Sequence, residues 1–499
     1  MNNINEIKIK DQIFNLKKRG LTDQEIGEKF NVNLHFIEKV IIERLGINVS
    51  NPSLKKRIKT SQPKDFSLET TTVWSFKSRG AWATHNGNYR GNWSPYLPRN
   101  VILRYSKPGE LVLDCFCGAG TTGIECKLIG RNFIGIDINP NAIELAKENI
   151  SFQVSNIYSN NENGDNKTPF VKFKIGDARD LSFISDNSID LICAHPPYAN
   201  IIQYTNNQKK DLSFCDVDEF LNEMSAVAKE NYRTLKDGGY CAILIGDMRR
   251  HKSVIPLGFK LIDVYLKNGF SVKELVIKRQ HNCKTTGFWY KNSIKYNFLL
   301  LAHEYLAIFK KTSIPQQQRL KEVEESENEN FYFKLTDTKQ NGSSTIESST
   351  VWIFEFKNWF NKTIQNLIGR YDGNNYYLIN KTDDFNKLDS IETKNLIIAA
   401  CNNKKMFKAF CGNIDKVVKQ IRDKGYLAIL CNDMRFKDGT IYPMAIETEK
   451  FLENRTDLKI KEIVVISIEN NHNAGEPTNK DLKITFKYLL IYNIIKEKK

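Results

Sequence analysis

Two short runs in this chain carry residue types that could do chemistry. Asp114-Cys115-Phe116-Cys117-Gly118-Ala119-Gly120-Thr121-Thr122 joins an acid, two closely spaced glycines and two hydroxyls. His195-Pro196-Pro197-Tyr198 joins a titratable ring, a rigid turn and an aromatic face. In the second run each proline locks φ and leaves no spare amide hydrogen, so the turn carries acceptors without competing donors. A neutral imidazole accepts one hydrogen bond and an imidazolium none. Such a turn can offer lone pairs to an exocyclic amine while Tyr198 stacks on the ring bearing it. Stacking on a planar heterocycle is worth roughly 1–3 kcal/mol. Because His195 must be neutral here, activity is predicted to fall as pH drops through its pKa, about 6.5 when unperturbed.

The flanking pattern says what must position these groups. Leu111-Val112-Leu113, after the turn pair Pro108-Gly109, reads as a buried parallel strand ending at Asp114. Gly118 and Gly120 permit positive-φ backbone close to a ligand. Thr121 and Thr122 then open a helix through Ile124, Leu128 and Ile129 that ends near Gly130. A second strand, Phe133–Ile136, closes with Asp137, placed to take a ribose diol. A pyrophosphate loop needs three spaced glycines and a bare helix N-terminus. Here Asp114 would repel an anion and suits the ammonium of a methionine moiety. The tetrapeptide directly follows the apolar strand Ile189–Ala194, which argues against a surface turn or a polyproline ligand.

In combination, these two runs resemble the S-adenosylmethionine-dependent DNA amino-methyltransferases, which act on cytosine N4 or adenine N6. The stretch Asn92-Trp93-Ser94-Pro95-Tyr96-Leu97-Pro98-Arg99-Asn100 is similar to the family's helix-capping motif at the cofactor's methionine end. Asp177 matches its third-strand acid at the adenine edge, and His303-Glu304-Tyr305 its late motif beside the target base. The resemblance covers residues 71–310. It implies S-adenosyl-L-methionine as cofactor, held by Ser94, Pro95, Asp114, Phe116, Gly118, Gly120, Thr121, Asp137 and Asp177, with no metal. It implies catalysis by His195, Pro196, Pro197 and Tyr198, the first side chain and the first proline's carbonyl accepting the two amino hydrogens. The family has Asp, Asn or Ser where this chain has His195. As an uncharged single acceptor, histidine stands nearer the Ser and Thr that accompany cytosine N4, which favours that base over adenine N6. Double-stranded DNA is the implied partner, beside a cognate restriction endonuclease. An RNA base amino-methyltransferase and a non-catalytic DNA-binding protein retaining the fold stand as the other readings.

Strands alternating with helices predict an α/β, doubly wound, Rossmann-like sheet with an antiparallel seventh strand over Phe298–Phe309. Before it, residues 1–50 read as a helix-turn-helix. Leu16–Leu21 ends one helix, the capping box Thr22-Asp23-Gln24-Glu25 opens the next, and Phe36, Ile37, Val40 and Ile41 mark a third. A small helical cap on the catalytic domain is the other reading of this unit. Residues 51–70 and 311–345 read as polar linkers, and the Asn-rich Ser155–Thr168 and the basic, aromatic Lys278–Lys295 as inserts. Residues 346–499 look like a degenerate second copy, a recognition or clamp domain that would make the chain a monomer or an internal pseudo-dimer. Glu347–Phe354 echoes Glu69–Phe76, and Gly425–Arg435 echoes Gly239–Arg249 with Asp-Met-Arg retained. Asn395–Cys401 falls where Asp190–Pro196 would, without the tetrapeptide.

Composition agrees with this picture and decides little. The 499 residues suffice for two or three domains. The net charge of +15 suits a polyanion partner, although a lysine-rich composition yields it without one. Ten cysteines without a Cys-x-x-Cys pair indicate neither zinc nor a disulfide framework. With no signal peptide and no apolar run of membrane length, a cytoplasmic location is expected.

Overall fold

The computed structural model describes residues 60–499 except 65, 154–168, 206–209, 282–285, 313–345, 372–374, 470–480 and 497–499, and N-terminally residues 3–19, 21, 23–32, 36, 37, 40 and 58. The insert at Ser155–Thr168 and nearly all of the 311–345 linker lie outside these. The chain divides into two compact units, Met1–Lys59 with Ser151–Ser155, and Thr60–Ile150 with Asn156–Lys499. In the first, helices Asn3–Lys18 and Asp23–Phe30 and the helical residues Phe36, Ile37 and Val40 close on a small core of Ile13, Ile26, Ile37 and Val40.

Among the described residues the second unit holds two large sheets and two small two-stranded hairpins. The first contains β1 (Val73–Trp74), β2 (Leu111–Asp114), β3 (Asn132–Asp137), β4 (Val171–Ile175), β5 (Ile189–Ala194) and β6 (Leu235–Ile245). A small hairpin follows, β7 (Met248–Arg250) and β8 (Ser253–Ile255), then β9 (Phe270–Arg279) and β10 (His303–Lys311). The sheet order is β1-β9-β10-β6-β5-β2-β3-β4. β10 lies antiparallel between β6 and β9, and the pairings from β6 to β4 are all parallel. Alternate strand residues bury on opposite faces. Leu113, Ile192, Ile243, Leu275 and Ala307 pack in one cluster with helices Val217–Thr234 and Leu257–Lys267. Val112, Leu191, Ala242, Val276 and Leu306 are buried outside it. A parallel sheet buried on both faces reads as continuous apolar runs, which is why the strands were legible. Side chains close several helix starts, Asp216 accepting from Glu219 N–H and Asn139 from Asn141 N–H.

The C-terminal sheet comprises β11 (Val351–Glu355), β12 (Tyr376–Ile379), β13 (Lys394–Cys401), β14 (Ile421–Cys431), β17 (Leu458–Glu469) and β18 (Phe486–Ile494), with a hairpin of β15 (Met434–Arg435) and β16 (Ile441–Tyr442). Its order, β11-β17-β18-β14-β13-β12, repeats that of the first sheet from β1 to β2, with β18 again antiparallel on both sides. Among the described residues it has no counterparts of β3 and β4. Where the first sheet has its glycine loop, β12 leads instead to the 3-10 helix Thr382–Ser390.

The two halves exchange contacts reciprocally. Arg249 donates to Glu462 and to the Leu299 carbonyl (2.9 Å); Arg435 donates to Glu274 (2.6 Å) and to the Leu482 carbonyl (2.9 Å). Glu462 also accepts from Leu299 N–H (3.0 Å) and Glu274 from Leu482 N–H (3.1 Å). Thr350 Oγ1 accepts from Ala302 N–H, as Thr72 Oγ1 does from Thr485 N–H. Each surface patch meets its own counterpart, the geometry of an isologous dimer interface inside one chain. One apolar cluster spans both halves, from Ile243 and Leu261 to Ile429 and Leu490. This exchange also corrects the strand expected from Phe298. Strand β10 begins at His303, because Leu299 and Leu300 pair with the C-terminal half, Leu300 bridging Ser349. Among the described residues, no helix is long and apolar enough to cross a membrane.

Candidate functional site

The parallel strands end on one side, so their last residues converge there, the ligand-binding edge of an open α/β sheet. A cleft open to solvent lies at this edge. Of the residues expected from sequence, Phe116, Gly118, Asp137, Asp177, His195 and Pro197 line it. Asp114, Ser94, Pro95, Gly120, Thr121, Pro196 and Tyr198 are not in its lining.

Asp114 is turned into the protein. Its carboxylate accepts from Phe116 N–H (3.0 Å) and Thr122 Oγ1 (2.5 Å), clasping the strand end to the start of helix Thr121–Leu128. Burial pushes its pKa up to about 7. It therefore shapes the loop from behind, where sequence reasoning set it against a ligand ammonium. Gly120 precedes that helix at φ 81°, and Thr121 Oγ1 donates to Asn92 Oδ1 (2.9 Å). Ser94 Oγ donates to the Arg79 carbonyl (2.8 Å), and Pro95 caps helix Tyr96–Tyr105. The guanidinium of Arg79 in turn binds the carbonyls of Asn92 (2.6 Å) and Trp93 (2.8 Å). Ser94 and Arg79 thus hold Asn92 and Trp93, which do line the cleft. The same cover is fixed to the loop helix by the buried Glu125, which accepts from Trp82 Nε1 (2.7 Å) and Arg99 (2.8 Å) and contacts His85 (2.6 Å).

Asp137 faces the cleft with each oxygen on a backbone amide, Oδ2 on Gly118 N–H (2.8 Å) and Oδ1 on Asn139 N–H (2.9 Å). Gly118 reaches this position at φ 48°, and a Cβ there would stand 3.1 Å from the Tyr89 ring. Burial raises Asp137 to about 6. Asp177 accepts from Arg179 N–H (3.0 Å), Nε (2.9 Å) and Nη2 (2.8 Å). Burial pushes its pKa up, but the Arg179 hydrogen bonds outweigh this and hold it below the usual range. Tyr89 and Tyr204, stacked at 6.5 Å, add aromatic faces. Diol acceptors, an ionised carboxylate, rings and a glycine cradle in one cleft fit an adenosyl group.

At the other end of the lining, His195 stacks on Trp93 at 5.7 Å and 22°. Its Nε2 lies 3.0 Å from the Tyr198 hydroxyl, which donates to Glu304 Oε1 (2.8 Å). Lys278 Nζ reaches Glu304 Oε2 at 2.6 Å. Burial pushes Glu304 up, but the Lys278 ammonium beside it prevails and keeps the carboxyl below its ordinary range, hence ionised. Burial also lowers His195 to about 4, so the ring is neutral and the pH window foreseen from sequence moves down. Gly246 lets the Tyr198 ring approach; a Cβ there would lie 2.9 Å from Cε2.

Sequence reasoning missed Tyr89, Trp93, Tyr204 and the Glu304–Lys278 pair as site residues. Trp93 and Glu304 lay in quoted motifs and Lys278 opened the segment read as a basic, aromatic insert, whereas nothing local marks Tyr89 or Tyr204. In the C-terminal half, β13 runs into Cys401-Asn402-Asn403 where β5 runs into the tetrapeptide.

A family model described as DNA methylase matches residues 23–148 and 189–395, more than half of the chain. A methyltransferase-domain model matches residues 106–249. The Type II methyltransferase M1.MboII of Moraxella bovis is 51% identical over 79 residues, 15% of this chain and 30% of that protein. M.HpaI of Haemophilus parainfluenzae is 42% identical over 93 residues, 18% of this chain and 29% of that protein. The chain spans less than a third of the length of the curated relatives it matches. A solved SAM-dependent methyltransferase of Methanosarcina mazei aligns at 18% identity over 42% of this chain and 97% of that one, with a TM-score of 0.28.

Proposed function

The chain belongs to the DNA methylase family, and from that premise we propose that it methylates an exocyclic amino nitrogen of a base flipped out of duplex DNA. The observation that carries this reading is that a neutral His195, the head of the Pro-Pro-Tyr turn, lines with Pro197 the same cleft as Asp137 and Asp177. S-adenosyl-L-methionine, when bound, supplies an electrophilic methyl group. Asp137 would hold its ribose diol and Asp177 its adenine edge. The chain's own work at the acceptor is to orient the amine. His195 and the Pro196 carbonyl each accept one amino hydrogen, which aims the nitrogen lone pair without removing a proton first. Tyr198 stacks on the base, its hydroxyl held by Glu304 so that the ring keeps one orientation. Because the Tyr198 hydroxyl hydrogen goes to Glu304, its contact with His195 is made by an Nε2–H; to accept from the base, the neutral ring takes the other tautomer and releases Tyr198.

Cytosine N4 is the acceptor in this reading, because a neutral imidazole offers one lone pair, as a hydroxyl side chain does. The C-terminal half transfers no methyl group and serves as the fixed partner of an internal dimer that grips DNA. A cognate restriction endonuclease would complete the setting, in line with the Type II names of the relatives. The test offers unmethylated genomic DNA and bulk tRNA with methyl-labelled cofactor, followed by mass spectrometry of the nucleosides. N4-methylcytosine from DNA is expected. N6-methyladenine alone would overturn the choice of base, label in tRNA alone the choice of nucleic acid, and no label with intact cofactor binding the catalytic role.

A further inference from the structure

Outside the reacting groups, one rim combines positive charge with exposed rings. Among the described residues 279–281 and 286–297 stand Arg279, Lys291 and Lys295 and no acid, and the β7–β8 hairpin adds Arg250, His251 and Lys252, again without an acid. The two segments meet, Lys252 Nζ lying 4.7 Å and Lys295 Nζ 5.2 Å from the Tyr296 ring centre. At its other end the hairpin reaches the catalytic turn, since Arg250 donates to Asn200, two residues beyond Tyr198. The rim therefore runs unbroken from the tetrapeptide to helix Thr286–Lys295. On that helix and just after it, Trp289 and Tyr290 are each 47% exposed, Ile294 64% and Tyr296 43%. A surface helix ordinarily turns polar residues to water, and large exposed rings among cations mark a binding surface.

We infer that this rim is the edge that holds duplex DNA beside the extruded base: Lys252, Lys291 and Lys295 contact phosphates, while Trp289, Tyr290 and Ile294 pack against the bases next to the vacated position. The inference rests on the proposed function and extends it from the reacting base to its neighbours. Charge decides the occupant. Cations bind phosphates without regard to sequence, and rings accept any base on their π-faces, so the surface suits a distorted duplex.

The test uses the full chain and two triple variants, K252Q/K291Q/K295Q and W289A/Y290A/I294A. Probes are a labelled unmethylated duplex of mixed sequence, S-adenosylhomocysteine, and vesicles of anionic phospholipid. Losing three phosphate contacts should flatten the slope of log affinity against log salt by about 2–3. The apolar variant should keep the slope and lose roughly tenfold or more in duplex affinity and methylation rate. Both should bind S-adenosylhomocysteine as the wild type does, which shows that the fold is intact. Wild-type slope, affinity and rate in both variants, beside an active parent, would overturn this inference alone. So would variants defective only toward vesicles. A parent that neither binds nor methylates DNA would overturn the proposed function, and this inference with it.

Discussion

Arg249→Met tests the internal dimer most sharply. Glu462 is fully buried, and among the described residues its carboxylate accepts hydrogen bonds from Arg249 and the Leu299 amide, with the Lys461 charge adding a weaker attraction. Removing the guanidinium leaves a buried charge with one neutral donor. Breaking a buried pair in this way costs about 3–5 kcal/mol, whereas replacing both partners by apolar groups can be neutral. Arg249→Met should therefore lower unfolding free energy by about 3–5 kcal/mol, and Arg249→Met/Glu462→Leu should recover about half of that or more. The sign with pH follows from burial, which raises Glu462 above its ordinary carboxylate value even with Arg249 opposing it. A carboxyl whose folded pKa is raised favours the folded state below its unfolded pKa and loses that advantage as pH rises through the folded value. Without Arg249 the pKa rises further, so the variant's deficit should grow from pH 5 to pH 8. Urea unfolding followed by tryptophan fluorescence and far-UV dichroism, with a double-mutant cycle, measures all of this. Arg435→Met, which orphans Glu274, should behave alike. A deficit under about 1 kcal/mol, strictly additive mutations, or a deficit independent of pH would refute the reasoning.

Asp137→Ala should weaken S-adenosylmethionine binding by roughly 1.5–3 kcal/mol, the worth of hydrogen bonds to a charged group; unchanged affinity by calorimetry would remove it from the cofactor site. Tyr198→Ala should leave that affinity intact while turnover and 2-aminopurine flipping fluorescence fall, and equal losses in cofactor binding would contradict a stacking role. With His195 lowered to about 4, single-turnover rates should stay level across pH 5.5–8 and decline only near pH 4. The decline should disappear in His195→Asn, whose carboxamide accepts without titrating, and a midpoint near the unperturbed value of about 6.5 would show a solvated ring instead. The same burial shapes stability. Between about 6.5 and about 4 the unfolded chain takes up a proton that the folded His195 and His303 refuse, so unfolding free energy should fall as pH drops through that window.

The amino-acid sequence by itself determined what depends on neighbours along the chain. Runs such as Leu111–Leu113 and Ile189–Ala194 had to be buried strands, the glycine loop had to follow the first, and Pro196-Pro197 had to be rigid, because each rests on local torsions and burial period. The second copy was legible too, since Asp-Met-Arg recurs at Asp247–Arg249 and Asp433–Arg435. Why those arginines recur was not, for their partners Glu462 and Glu274 lie in the opposite half. Tertiary structure alone decided which side of a loop each polar atom serves. It turned Asp114 inward onto Thr122, gave Ser94 to Arg79, brought Tyr89 and Tyr204 into the cleft, and set Lys278 and Glu304 behind Tyr198. Such pairings join residues far apart in the chain, and a hydrogen bond formed only on folding leaves no periodicity or spacing to read.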